Sequence, residues 1–180
     1  MTNKRKTNSV TNLKAALIDL LLEMEYSKIT IGNITQRANV SRGTFYQHFL
    51  DKDDLAYSIG TETMQRFWEI LAQGNLDKED MLLKALLLIK NDYKHFKAIS
   101  KAPHVQFKDK VQQLICDLIN NNPAIREKIK KNTKISDEIV IKAFSASFET
   151  IISFWIDNDL SESPEKVVDN IIKIEQLFWK

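Results

Sequence analysis

Two hydroxyl residues, Thr30 and Ser41, each stand directly before a short stretch with apolar side chains at helical spacing, and Asn39-Val40 lies between the two stretches. A hydroxyl in that place accepts a hydrogen bond from the first free amides of a helix, so Thr30 and Ser41 read as N-caps. Ile31, Ile34 and Ala38 give the first stretch an inward face and leave Asn33, Gln36 and Arg37 to water; Phe45 and Phe49 point the second stretch at the same core. Asn tolerates a left-handed backbone, which makes Asn39 the turn residue and Val40 its apolar plug. Upstream, Leu13, Ala16, Leu17, Leu20, Leu21 and Met24 recur at helical spacing opposite Lys14, Asp19 and Glu23, and Glu25-Tyr26-Ser27 ends that helix. The pattern predicts three short helices, the last two forming a helix-turn-helix.

The third helix leaves Arg42, Gly43, Thr44, Tyr46, Gln47 and His48 exposed, a face without an acid and suited to a major groove. Arg42 can offer a bidentate fork to guanine, Gln47 can pair with adenine, and Gly43 removes a side chain where the backbone must come close. Tyr46, His48 and Lys52 suit phosphate oxygens, and helix N-termini add backbone amide donors. Residues 1–50 hold seven Lys/Arg against three acids, so positive charge gathers at this end while the remainder of the chain is net negative. Lys4-Arg5-Lys6 lies in a polar N-terminal arm, Met1 to Asn12, which either contacts phosphate or is simply solvated.

The segment Leu13 to Ile59 resembles the N-terminal DNA-binding domain of TetR-family transcriptional regulators, most specifically in the run Asn39 to Phe49 followed by Asp51-Lys52-Asp53-Asp54-Leu55. Position by position, the resemblance implies that Arg42, Gly43 and Thr44 approach bases, behind Ser41 as the cap, and that Thr30, Tyr46, His48 and Lys52 hold the phosphate backbone. Two positions depart from the family pattern: Gly32, where relatives often carry a polar or basic side chain, and Asn39, where glycine is commoner.

Apolar content of 43% over 180 residues supports a real core, and four Gly with three Pro leave little room for a turn-dense β fold, so the chain is expected to be all-α. The expected domains are 1–50, a DNA-binding helix-turn-helix domain with a basic arm, and 51–180, a helical effector-binding and dimerisation domain. A long helix is expected over Lys52 to Gln73, broken by Gly74-Asn75. Further helices are expected near Lys78 to Tyr93, Tyr93 to Ile99, Val105 to Asn120, Ser136 to Asn158 and Pro164 to Trp179, with Pro103, Pro123 and Pro164 at their boundaries. No apolar run is expected to reach the length of a membrane span, and the single Cys116 excludes an internal disulfide and fits a reducing cytoplasm. His95, His104 and Cys116 match no metal-ligand spacing, and no nucleophile turn or phosphate-binding glycine loop is present, so neither cofactor, metal nor catalysis is expected.

The last two helices are apolar on many sides. Ala143, Ala146, Ser147, Thr150, Ile151 and Phe154 on the first, with Ile171, Ile174 and Phe178 on the second, would build a two-fold homodimer through a four-helix bundle; the same faces would equally wrap the chain's own core. The resemblance implies the dimer, with two heads spaced for a palindromic operator in double-stranded DNA. It further implies repression relieved by a small-molecule effector, for which Trp68, Met81, Leu88, Phe96, His104, Phe107, Leu114 and Cys116 are candidate pocket residues. Phe154-Trp155-Ile156-Asp157-Asn158 followed by Ser163-Pro164-Glu165 resembles the end of a C-terminal domain found in a subset of these proteins. The alternative function is a TetR-like adaptor or co-activator that works through a protein partner.

Overall fold

A computed structural model describes residues 2–71, 78–123, 126, 127 and 135–178, and among these the chain is helical, with no strand. Helix α1 spans Thr2–Glu23. It starts well upstream of Leu13: the segment expected as an arm contains no Gly or Pro to break the helix, so helical backbone extends through it. Leu13, Ala16, Leu17, Leu20 and Leu21 are buried, as their spacing predicts.

A 3-10 turn at Tyr26–Lys28 leads into α2, Ile31–Arg37. Thr30 caps it reciprocally: its hydroxyl accepts from the Asn33 amide at 3.1 Å, and Asn33 Oδ1 accepts from the Thr30 amide at 2.9 Å. Asn39 adopts φ 53°, the left-handed turn its residue type permits. Ser41 then caps α3, Arg42–Tyr46, accepting from the Thr44 amide at 3.0 Å. The next helix, α4, covers Lys52–Leu71, and its start is closed by two acids: Asp51 accepts from the Asp54 amide at 2.8 Å, and Asp54 accepts from the Leu50 amide at 3.0 Å.

The chain forms two compact units. The first holds residues up to Gln65 together with Asp92–Phe107. Its core gathers Leu13, Leu17, Ile29, Ile34, Phe45 and Leu55, and α6, Tyr93–Ser100, packs along α1. Thr35, a polar type, is also buried; its hydroxyl turns back to donate to the carbonyls of Ile31 at 2.9 Å and Gly32 at 3.2 Å, which is what makes its burial tolerable.

The second unit holds Arg66–Asn91 and the chain from Lys108 onward. Its helices are α5, Lys78–Asn91, α7, Phe107–Asn120, α8, Asp137–Asp157, and α9, Pro164–Phe178. α9 packs on both α5 and α8. The α8–α9 turn places Asp159 and Leu160 at positive φ and is closed by Trp155 Nε1, which donates to the Glu162 carbonyl at 2.9 Å.

Helix α8 corrects one expectation. Its 21 residues are long and apolar enough to cross a membrane by length and composition alone. Lys142 and Glu149 break up the run in the linear sequence, which hides its overall apolarity. One side of α8, including Val140, Ile141, Phe144, Phe148 and Trp155, is buried in the chain's own core, so it is a core helix.

Candidate nucleic-acid interface

Two short capped helices meet at a turn, and this alone decides which side chains can leave the head. Phe45 and Phe49 are held in the core, so the rest of the α3 helix and its C-terminal cap faces outward. Ser41, Arg42, Gly43, Tyr46 and Gln47 are exposed and Thr44 is half-buried; Tyr46 stands 59% exposed, its ring edge-on to Phe45. Thr30 is exposed at the start of α2. Gly43 has an ordinary helical φ, and a Cβ built on it would meet only Ser41 Oγ, at 3.6 Å. The head's own packing therefore has room for a larger residue at Gly43.

Basic residues near this face fall into two groups. Arg37 forms a bidentate pair with Glu23, at 2.8 and 2.7 Å, which clips α2 to α1 and, chiefly through that hydrogen bond, holds the Glu23 carboxyl below its ordinary range. Arg42, by contrast, has no acid partner among the described residues and lies beside Gly32.

Two of the expected phosphate ligands are placed differently from the sequence reading. His48 is not openly exposed: it is half-buried, and its Nε2 is buried with no hydrogen-bond partner among the described residues. The short α3 ends at Tyr46, and His48 follows beyond its C-cap, where the exposed stripe expected of a longer helix no longer runs. Lys52 is half-buried, and its ammonium donates to the carbonyls of Tyr26 and Ile29, both at 2.9 Å, while lying 4.4 Å from the centre of the Tyr26 ring. The Tyr26 hydroxyl donates to Asp53, and burial first, then that hydrogen bond, raises the phenol far above its ordinary range. These contacts make Lys52 part of the head's internal frame; its neighbours in sequence gave no sign of this, because the partners lie before α2.

The expected pocket residues are dispersed. In the second unit a cavity of about 350 Å³ is lined by Phe67, Met81, Leu82, Ala85, Val111, Leu114, Ile115, Leu118, Ile119, Asn122, Phe144, Phe148 and Ile152. Met81 and Leu114 are in this wall; Trp68, Leu88 and Cys116 are not. Cys116 Sγ sits 3.1 Å from Ser145 Oγ. Phe96 and Phe107 stack edge to face in the first unit's core. His104 also belongs to the first unit, its ring 5.4 Å from that of Tyr26 and its Nδ1 3.7 Å from Asp53. His95 bonds to the Thr63 hydroxyl at 2.7 Å.

On α8, Ala143, Thr150 and Phe154 are exposed and Ala146, Ser147 and Ile151 half-buried, a single uncovered face joined by Ile139. Ile174 is half-buried, but Ile171 is only 1% exposed, so it serves the chain's own core. The Phe178 side chain lies outside the described residues.

Comparison with known proteins adds the relatives. Residues 13–59 match the family described as bacterial regulatory proteins, tetR family, and residues 77–176 match one described as transcriptional regulator C-terminal region. The fatty acid metabolism regulator protein of Bacillus subtilis is 27% identical over 131 residues, covering 73% of this chain and 63% of that protein. The HTH-type transcriptional regulator YxbF of the same organism is 34% identical over 58 residues, 32% of this chain and 15% of that protein. The chain thus spans less than two thirds of the curated relatives it matches first. Similar solved structures include a TetR transcriptional regulator from Streptococcus agalactiae, with a TM-score of 0.71 and 18% identity over 96% of both chains. The fatty acid degradation regulator FadR from Bacillus halodurans gives 0.69 and 17% identity, over 95% of this chain and 94% of that one. The dihydroxyacetone kinase operon activator DhaS gives 0.61 and 20%, over 95% and 96%. Likeness at these identities speaks for the fold.

The frame role of Lys52 is testable apart from DNA. Lys52→Gln is expected to destabilise the chain by about 1–3 kcal/mol in chemical denaturation, the cost of two carbonyls losing a charged donor. Unchanged stability with weakened DNA binding would instead make Lys52 a phosphate ligand.

Proposed function

This chain belongs to the TetR family of bacterial transcriptional regulators, and from that membership we propose that it is a repressor, bound as a homodimer to a palindromic operator and released by an apolar effector. DNA binding itself follows from the family. The observation that carries the reading of the site is the α3 face: Arg42, Thr44, Tyr46 and Gln47 surround a glycine, Gly43, that the head's own packing does not require. A backbone with no side chain above it lets α3 come close to the groove floor, where Arg42 and Gln47 reach base edges. Thr30, Ser41 and Tyr46 are within the same exposed surface and serve phosphate oxygens. His48, its Nε2 buried, has a lesser part in this scheme.

The proposed dimer uses the uncovered face of α8. Phe154 and Ile139 are 68% and 61% exposed, with Ala143, Ala146 and Ser147 between them small enough to let a second copy of α8 approach closely. A two-fold axis through that face makes the protein symmetric in the way a palindrome is. Within this scheme residues 1–50 read DNA and 51–180 pair the copies and hold the effector, in the cytoplasm where the operator lies.

The effector's class is read from the cavity wall. Among the described residues Asn122 is the one polar residue of the wall and no charged side chain lines it, so a ligand rich in hydrocarbon and without charge is favoured over an ionised one. That relatives in Bacillus subtilis and Bacillus halodurans are named for fatty acid metabolism and degradation accords with a hydrocarbon chain. Such a ligand acts by preferring one arrangement of the dimer over the other.

Selection from a random duplex pool tests the central claim. Wild-type protein is expected to enrich a palindrome and Tyr46→Ala to lose it; no enrichment by wild type would move the function to the protein-partner alternative. Phe154→Glu, which sets a charge in the proposed dimer face, is expected to run as a monomer in light scattering; a dimer of unchanged mass places the interface elsewhere. For the effector, 1-decanol is expected to raise the melting temperature of wild type and release the selected operator, and Ala85→Trp, which fills the cavity, to do neither. Stabilisation by decanoate but not decanol would refute an uncharged ligand.

A further inference from the structure

Gly32 is the second residue of α2, and a Cβ built on it would stand 3.0 Å from Arg42 Nη2, 4.0 Å from Arg42 Cζ and 3.4 Å from Thr30 Oγ1. The space above Gly32 is therefore occupied by the guanidinium of the first residue of α3. Backbone geometry gives no other reason for glycine here: its φ is not in the left-handed region, and glycine inside a helix is less favourable than alanine. What the missing side chain preserves is a seat. We propose that Gly32 is a positioning residue that sets the direction from which Arg42 approaches a base, and so helps determine which operator the protein prefers.

Charge makes the seat consequential. Arg37 is fixed by Glu23, but no described acid holds Arg42, so the position of its guanidinium rests on packing. A side chain at Gly32 would press chiefly on the tip of a long, flexible and exposed residue, which can swing aside, while the capping oxygen of Thr30, at 3.4 Å, lies at the edge of ordinary contact distance. The cost of the substitution thus falls on the placement of Arg42 and not on folding. A bidentate arginine–guanine pair depends on the fork lying in the plane of the base edge, and a displaced fork loses that discrimination while keeping its charge near phosphate.

The inference rests on the DNA-reading function proposed above, with Arg42 as a base reader, and the experiment separates the two. Full-length wild type, Gly32→Ala, Arg42→Ala and the double variant would be compared by duplex selection and by anisotropy on the selected operator and its single-base variants. Gly32→Ala is expected to melt no lower than wild type and to lose discrimination on the order of tenfold at the base position that Arg42→Ala also affects. The double variant is expected to match Arg42→Ala alone. Unaltered preference in Gly32→Ala, or an equal effect of Gly32→Ala when Arg42 is absent, would overturn the seat. A normal preference in Arg42→Ala would overturn the base-reading role and the seat together, whereas failure of wild type to select any sequence would remove the DNA-reading function itself.

Discussion

The reading head depends on one ammonium. Lys52 Nζ, in the first turn of α4, donates to the carbonyls of Tyr26 and Ile29 on either side of the connection between α1 and α2. Ile29 is fully buried and Thr30 caps α2, so whatever fixes these carbonyls fixes the angle at which α2 leaves. The next residue, Asp53, takes the Tyr26 hydroxyl, and the ammonium lies over the same ring. Opposite charges on adjacent residues thus grip one connection from the first turn of α4. The Tyr26 carbonyl also accepts from the Ile29 amide at 3.1 Å, but the Ile29 carbonyl has no other donor among the described residues, and leaving it unpaired is costly, which is why this grip outweighs exposed pairs such as Lys28 with Glu25. Arg37 with Glu23 closes the other end of α2 against α1. With α2 held at both ends and the turn fixed by Asn39, α3 has one direction in which to present its outer face.

That frame explains which parts of the site were legible in sequence. Caps, turn and core spacing are local: Thr30, Asn39, Ser41, Phe45 and Phe49 take their roles from neighbours within a few residues, and pattern reading finds them. Lys52 and His48 take theirs from distant groups. A lysine beside an exposed helix reads as a phosphate ligand, and nothing near it in sequence shows the two carbonyls, more than twenty residues upstream, that its ammonium meets. His48 reads as exposed if α3 is continued past Tyr46, but the helix stops there and the ring turns inward. Thr35 escapes the same kind of reading because its burial depends on a bond to its own helix backbone.

The cavity was legible only in part, and for a topological reason. The chain enters the second unit at Arg66, returns to the first for Asp92–Phe107, and leaves it again. Phe96, His104 and Phe107 sit in that returning segment, so a linear reading assigns them to a pocket wall while their actual neighbours are one another, Tyr26 and Asp53. Apolar periodicity identifies an inward face but not which core it faces. Met81 and Leu114 come from helices that do remain in the second unit, and they are the candidates that line the cavity.

Helix α8 poses the opposite problem, since apolar residues surround it and one core can cover only one side. Val140, Phe144, Phe148 and Trp155 satisfy that side within the chain. The other carries Ile139 and Phe154 in water, together with a row of small residues. Burying a large apolar side chain contributes about 1.5–3 kcal/mol, and association costs roughly 4–15 kcal/mol in lost freedom. In the proposed two-fold contact Ile139 and Phe154 of both copies would be buried for a single loss of freedom, four large side chains set against one association cost. The same arithmetic gives small residues a use beside the large ones in that proposed contact: Ala143, Ala146 and Ser147 would add little area themselves but would let a facing helix cover Phe154 and Ile139.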